Sequence, residues 1–148
     1  MYLVDYHTHP YAHGDEIIYN EELLQKFIET AVKNEIKELG FSDHDEFSEV
    51  IDWEVLNKII NSSPIPVKKA LEFDYIPGRE EEIRKKIERY NLDYAIGSVH
   101  FIDGWGFDNP LYKEEYRKND IDQIYLRYYE LLNEAVKSNL FNIVGHFD

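Results

Sequence analysis

The sequence predicts an α/β fold built from parallel βα units. Two observations predict it. Short apolar runs alternate with longer amphipathic segments along the whole chain, the pattern of strands joined by crossover helices. Histidines and a carboxylate follow the ends of those runs, and in such folds the chemistry sits at the carboxyl ends of the strands.

Taken in order, Tyr2 to Tyr6 reads as the first strand. Glu21 to Leu39 reads as a helix, because Leu23, Leu24, Phe27, Ile28, Ala31, Val32 and Ile36 share one face. Asn20 suits its N-cap, Glu21 and Glu22 its first turn, and Gly40 its stop. Phe41 to Asp43 is a short second strand, and Trp53 to Ile60 a second helix. The Ser62 to Pro66 stretch is a loop too short to divide domains. Val67 to Phe73 is a third strand, ended by Pro77-Gly78, and Glu80 to Tyr90 a helix. Tyr94 to Val99 is a fourth strand. Ile121 to Val136 is a long helix with Ile121, Ile124, Tyr125, Tyr128, Leu131, Leu132, Ala135 and Val136 on its apolar side, and Asn142 to Gly145 is a fifth strand.

The chain has 148 residues, enough for one domain with a real core. It carries 30 acidic against 16 basic residues, a net charge of -14, which speaks against binding a nucleic-acid backbone or an anionic membrane. It has no cysteine, so disulfides and thiolate metal sites are excluded. Neither a basic, apolar leader nor an apolar run of membrane-spanning length is visible, which points to the cytoplasm.

His7 and His9 lie two apart after the first strand, so their imidazoles can face one cation. Two such residues beside a turn can equally be structural. His13 follows in a loop, where a lone histidine is ordinarily exposed surface. His44 follows the second strand in Ser42-Asp43-His44, which reads as a ligand or as a polar cap. Glu72 sits among Ala70, Leu71 and Phe73, where a carboxylate is costly to bury unless paired or metal-bound. His100 and His146 each end an apolar strand behind a small residue. Singly, these are core histidines; at one level with Glu72 and the first pair, they read as ligands. Imidazole and carboxylate together suit zinc, manganese or iron.

The ordered series His7-Thr8-His9, Ser42-Asp43-His44, Glu72, Gly97-Ser98-Val99-His100 and Val144-Gly145-His146 resembles the PHP (polymerase and histidinol phosphatase) family. Gly97 to Asp108 and Glu72 to Gly78 are similar to its monofunctional histidinol-phosphatase branch. The resemblance implies part of a distorted seven-stranded (β/α) barrel, with about five strands present. It implies three divalent metal ions: one on His7, His9 and Glu72, a second on Glu72, His100 and His146, and a third on His13 and His44. The implied activity is hydrolysis of a phosphomonoester, L-histidinol phosphate within histidine biosynthesis, with Glu72 and His100 acting through metal-generated hydroxide. Beside the resemblance, Asp108 and Asp103 are the candidates to protonate the leaving oxygen, while Arg79 and Arg117 could meet phosphate but fit solvated faces better. Other activities of the family, including nuclease action, and a metal-binding fragment without turnover are the alternatives.

The family's late Asp-x-His motif is not found before Asp148. Residues 1–148 are therefore expected to be one domain, incomplete at its C-terminus. Open strand edges would then favour self-association.

Overall fold

The structure, a computed structural model, describes residues 1–11 and 20–147. The chain groups into two compact units, Met1–Glu72 with Tyr90–Tyr94, and Phe73–Arg89 with Ala95–Asp148. The elements run β1 (Leu3–Asp5), α1 (Glu21–Lys33), β2 (Ile36–Phe41), α2 (Trp53–Ser62), β3 (Val67–Asp74), α3 (Glu80–Tyr90), β4 (Tyr94–Ser98), β5 (Phe101–Ile102), β6 (Trp105–Gly106), α4 (Ile121–Lys137) and β7 (Ile143–Val144). Short 3-10 segments cover Asp45–Phe47 and Pro110–Arg117. The expected alternation of parallel strands and helices is present, with five strands of that kind and one small antiparallel hairpin among the described residues.

In the first unit β1 pairs with β2 and β2 with β3, both in parallel. Asn20 caps α1 as the sequence predicts, its side chain accepting from the Leu23 N–H at 3.0 Å. Leu24, Ile28 and Ala31 form the buried stripe of α1, and Leu56 and Ile59 that of α2. The expected helix over 21–39 is corrected. It stops at Lys33, Asn34 donates to the Thr30 carbonyl, and Glu35 takes a left-handed φ of 60°. Ile36–Phe41 then forms β2, so the second strand lies earlier than expected and is longer. Gly40 is no helix stop. It lies in β2, where a Cβ would collide with the Tyr94 phenol.

In the second unit β4 and β7 pair in parallel, Ile96 opposite Ile143 and Gly97 opposite Val144. The core joins Tyr75, Val99 and Ile102 to Ile124, Tyr128, Leu131, Leu132 and Ala135 of α4. The β5–β6 hairpin turns on Asp103 and Gly104, at φ values of 51° and 87°. An Asp-Gly pair supplies the positive φ that a two-residue hairpin turn requires.

Leu131 is 1% exposed within this core. Leu131→Ala is expected to cost about 2–5 kcal/mol, read from the midpoint of urea unfolding. A loss within about 0.5 kcal/mol, the range of a surface substitution, would contradict this packing.

Candidate metal centre

The chain segment after β1 carries His7 and His9, and it is lashed to the end of β2. The Tyr94 hydroxyl donates to the Tyr6 carbonyl at 2.6 Å. The Thr8 hydroxyl donates to the Gly40 carbonyl at 2.7 Å, and the Ser42 N–H to the Thr8 carbonyl at 2.9 Å. The Ser42 hydroxyl accepts from the Thr8 N–H at 3.1 Å. The Asp43 carboxylate accepts from the Tyr11 N–H at 2.7 Å. Burial pushes the Asp43 carboxyl up to about 7, and that hydrogen bond acts in the opposite sense. In Ser42-Asp43-His44 the first two residues thus hold the backbone of the neighbouring segment, and only the third presents an imidazole to the cluster. The Asp5 carboxylate accepts from the His7 backbone N–H at 3.2 Å.

Pairing of β2 with β3 continues past Phe41. The Glu72 N–H donates to the Asp43 carbonyl at 3.0 Å, and His44 and Glu72 form a parallel bridge. Glu72 is 1% exposed, yet one of its oxygens is approached by three imidazoles. His7 Nε2 stands 3.1 Å from Oε2, His44 Nδ1 3.3 Å and His9 Nε2 3.4 Å. His9 and His44 stack, with ring centroids 4.6 Å apart and planes 17° from parallel.

An ionised carboxylate this deeply buried needs a positive partner. Protonated imidazoles would supply one, but three so close together would repel each other. A divalent cation meets the same need with neutral rings. Ligand atoms from His7, His9 and Glu72 lie within 4.8 Å of one another, and imidazole with carboxylate is a donor set that first-row metals accept. The residues present therefore fit the group.

In the second unit His100 Nε2 and His146 Nε2 stand 3.0 Å apart. Two nitrogens on a tetrahedral cation at about 2.05 Å would lie about 3.3 Å apart, and at right angles about 2.9 Å. The observed spacing is close to both. His100 Nδ1 meets Asp74 Oδ1, a partner that the sequence reading left without a role. Its signal was there: Asp74 lies two residues beyond Glu72 on β3, on the same side of the strand. The Tyr128 hydroxyl donates to the His146 carbonyl at 2.8 Å, so α4 steadies the segment after β7.

His100 and His146 open into a cleft of about 410 Å³ lined also by Asp108, Phe107, Tyr116 and Tyr125. Asp103 is not in this cleft lining. Its carboxylate is gripped by Arg127 at 3.1 Å. Arg79 is held by Glu82 and by the Asp74 carbonyl, and Arg117 by Glu114. His13 lies outside the described residues.

Among the described residues no helix is long and apolar enough to cross a membrane. The model of the PHP domain matches residues 5–148. A protein of Deinococcus radiodurans named "Probable histidinol-phosphatase" is 42% identical over 84 residues, 57% of this chain and 32% of that protein. One of the same name from Schizosaccharomyces pombe is 21% identical over 96% of this chain and 54% of its own length. The chain thus spans only a third to about half of these relatives. A crystal structure of histidinol phosphate phosphatase from Lactococcus lactis, complexed with zinc, L-histidinol and phosphate, superposes with a TM-score of 0.71. It shares 21% identity and covers 97% of this chain and 57% of its own, which makes the fold common to both. The chain belongs to the PHP domain family.

Proposed function

We propose that this protein is a metal-dependent phosphoric monoester hydrolase and that its substrate is L-histidinol phosphate. The observation that carries the reading is the cleft of the second unit, where His100 and His146 open beside Asp108 and four tyrosines, Tyr116, Tyr125, Tyr128 and Tyr129. Metal-ligand chemistry and a wall of aromatic rings in one cleft suit a phosphate ester with a small, flat, cationic organic group. The names of the relatives support the same substrate.

In this reading His7, His9 and Glu72 would hold one cation, and His100 and His146 would hold another, with Glu72 shared as the family resemblance implies. His13 and His44 hold a third. Zinc, manganese and iron all suit these donors. Divalent cations held there would activate water as the nucleophile and offset charge on the phosphoryl oxygens. The protein's own groups do the rest. Ser42 and Asp43 keep the His7–His9 segment in place. Asp108 passes a proton to the leaving alkoxide oxygen. The aromatic rings orient the organic group and exclude water from it. The protein works in the cytoplasm as part of histidine biosynthesis, and exposed strand edges bring copies together.

Phosphate release from a panel of phosphomonoesters tests the substrate: a preference for histidinol phosphate, abolished by chelation and restored by added metal, is expected. Equal turnover of generic esters would remove the substrate claim. Turnover that survives complete chelation would remove the metal claim. Glu72→Gln is expected to lower bound metal and turnover together, by more than the roughly 10–100-fold that loss of an outer-shell partner costs. Asp108→Asn is expected to lower kcat by about 100-fold or more at unchanged metal content, and an unaltered kcat would free Asp108 of its role.

A further inference from the structure

We propose that Asp74 is a positioning residue that locks His100 in the tautomer carrying its proton on Nδ1, leaving the Nε2 lone pair for a cation. This rests on the metal reading given above. It goes beyond that reading in naming which group sets the tautomer of the ligand's ring.

Carboxylate oxygens accept hydrogen bonds, so the contact with Asp74 Oδ1 favours the proton on the facing ring nitrogen, Nδ1. In a neutral imidazole the other nitrogen is then bare. That nitrogen, Nε2, faces His146 Nε2 at 3.0 Å, the spacing of two ligands on one cation. Free imidazole interconverts between tautomers, and the wrong one would aim an N–H at the metal. The carboxylate also makes the ring a stronger donor.

Asp74 is itself held. Its carbonyl accepts from Arg79 Nη1 at 3.0 Å. The Arg79 fork is fixed by Glu82, at 2.7 Å from Nη2 and 3.1 Å from Nε, and this guanidinium pulls the Glu82 carboxyl down to about 2. The next residue, Tyr75, donates its N–H to the Ser98 carbonyl at 2.8 Å, two residues before His100. Backbone bonds therefore fix both Asp74 and the strand end from which His100 projects. The Asp74 and His100 side chains are 23% and 13% exposed, so water competes only partly for their contact.

The test reads the ring directly. In metal-free protein labelled with ¹⁵N-histidine, the His100 nitrogens, assigned against His100→Gln, should show the Nδ1–H form. In Asp74→Ala that form should no longer dominate, and zinc affinity measured by competition with a chelating dye should fall roughly 10–100-fold. Asp74→Asn, nearly isosteric, keeps a carbonyl acceptor. It should preserve the Nδ1–H form yet still bind zinc more weakly, because the negative charge is gone. It also decides the matter if the alanine variant does not fold. An Nε2–H ring in the wild type, or wild-type zinc affinity in a folded Asp74 variant, overturns the proposal. A wild-type protein that binds no zinc while showing the Nδ1–H form would overturn the metal reading instead, so the two failures are distinguishable.

Discussion

A carboxylate that is almost wholly removed from water constrains everything around it. Glu72 lies on β3 with 1% of its surface exposed, and it must be compensated by charge or by strong hydrogen bonds. The chain answers with His7, His9 and His44, whose nitrogens stand 3.1–3.4 Å from one Glu72 oxygen. Those rings are delivered by the ends of two other strands. The parallel pairing of β1, β2 and β3 thus has a chemical purpose: it brings three carboxyl ends to one level. Slipping β2 against β3 by one residue would turn His44 away from Glu72.

What holds the rings in place is mostly not ring chemistry. Thr8, Ser42, Asp43 and Tyr94 tie down the backbone of the segment carrying His7 and His9. The second unit repeats the device with other groups: Tyr128 fixes the His146 carbonyl, and Arg79 fixes that of Asp74. In both units a ligand candidate projects from backbone that neighbouring side chains have already immobilised. Such support is what a metal centre needs, since small errors in ligand placement weaken it.

Much of this was legible in the sequence, for identifiable reasons. Strand ends are marked by a switch from apolar to polar residues, and every histidine of the described cluster follows such a switch. Helix α3 was legible to the residue, because acidic residues open it and a Pro-Gly turn precedes it. The boundary between α1 and β2 was not. Ile36 and Leu39 continue the helical period, whereas the break at Asn34 and Glu35 depends on a left-handed backbone at a non-glycine residue. Gly40 looked like a helix stop because the tight approach of Tyr94 comes from a residue distant in sequence. Asp74 was missed for a similar reason: its partner, His100, lies 26 residues away. The β5–β6 hairpin is signalled in the sequence by Asp103-Gly104.

The buried carboxylate and its imidazoles are proposed to be metal ligands rather than a self-compensating ion-pair cluster. X-ray absorption at the zinc edge of zinc-loaded protein tests it most directly. Metal ligation predicts a first shell of nitrogen and oxygen at about 2.0–2.2 Å, with the outer scattering pattern of several imidazoles, reduced in Glu72→Gln. A shell of oxygen alone, without imidazole scattering, would contradict it.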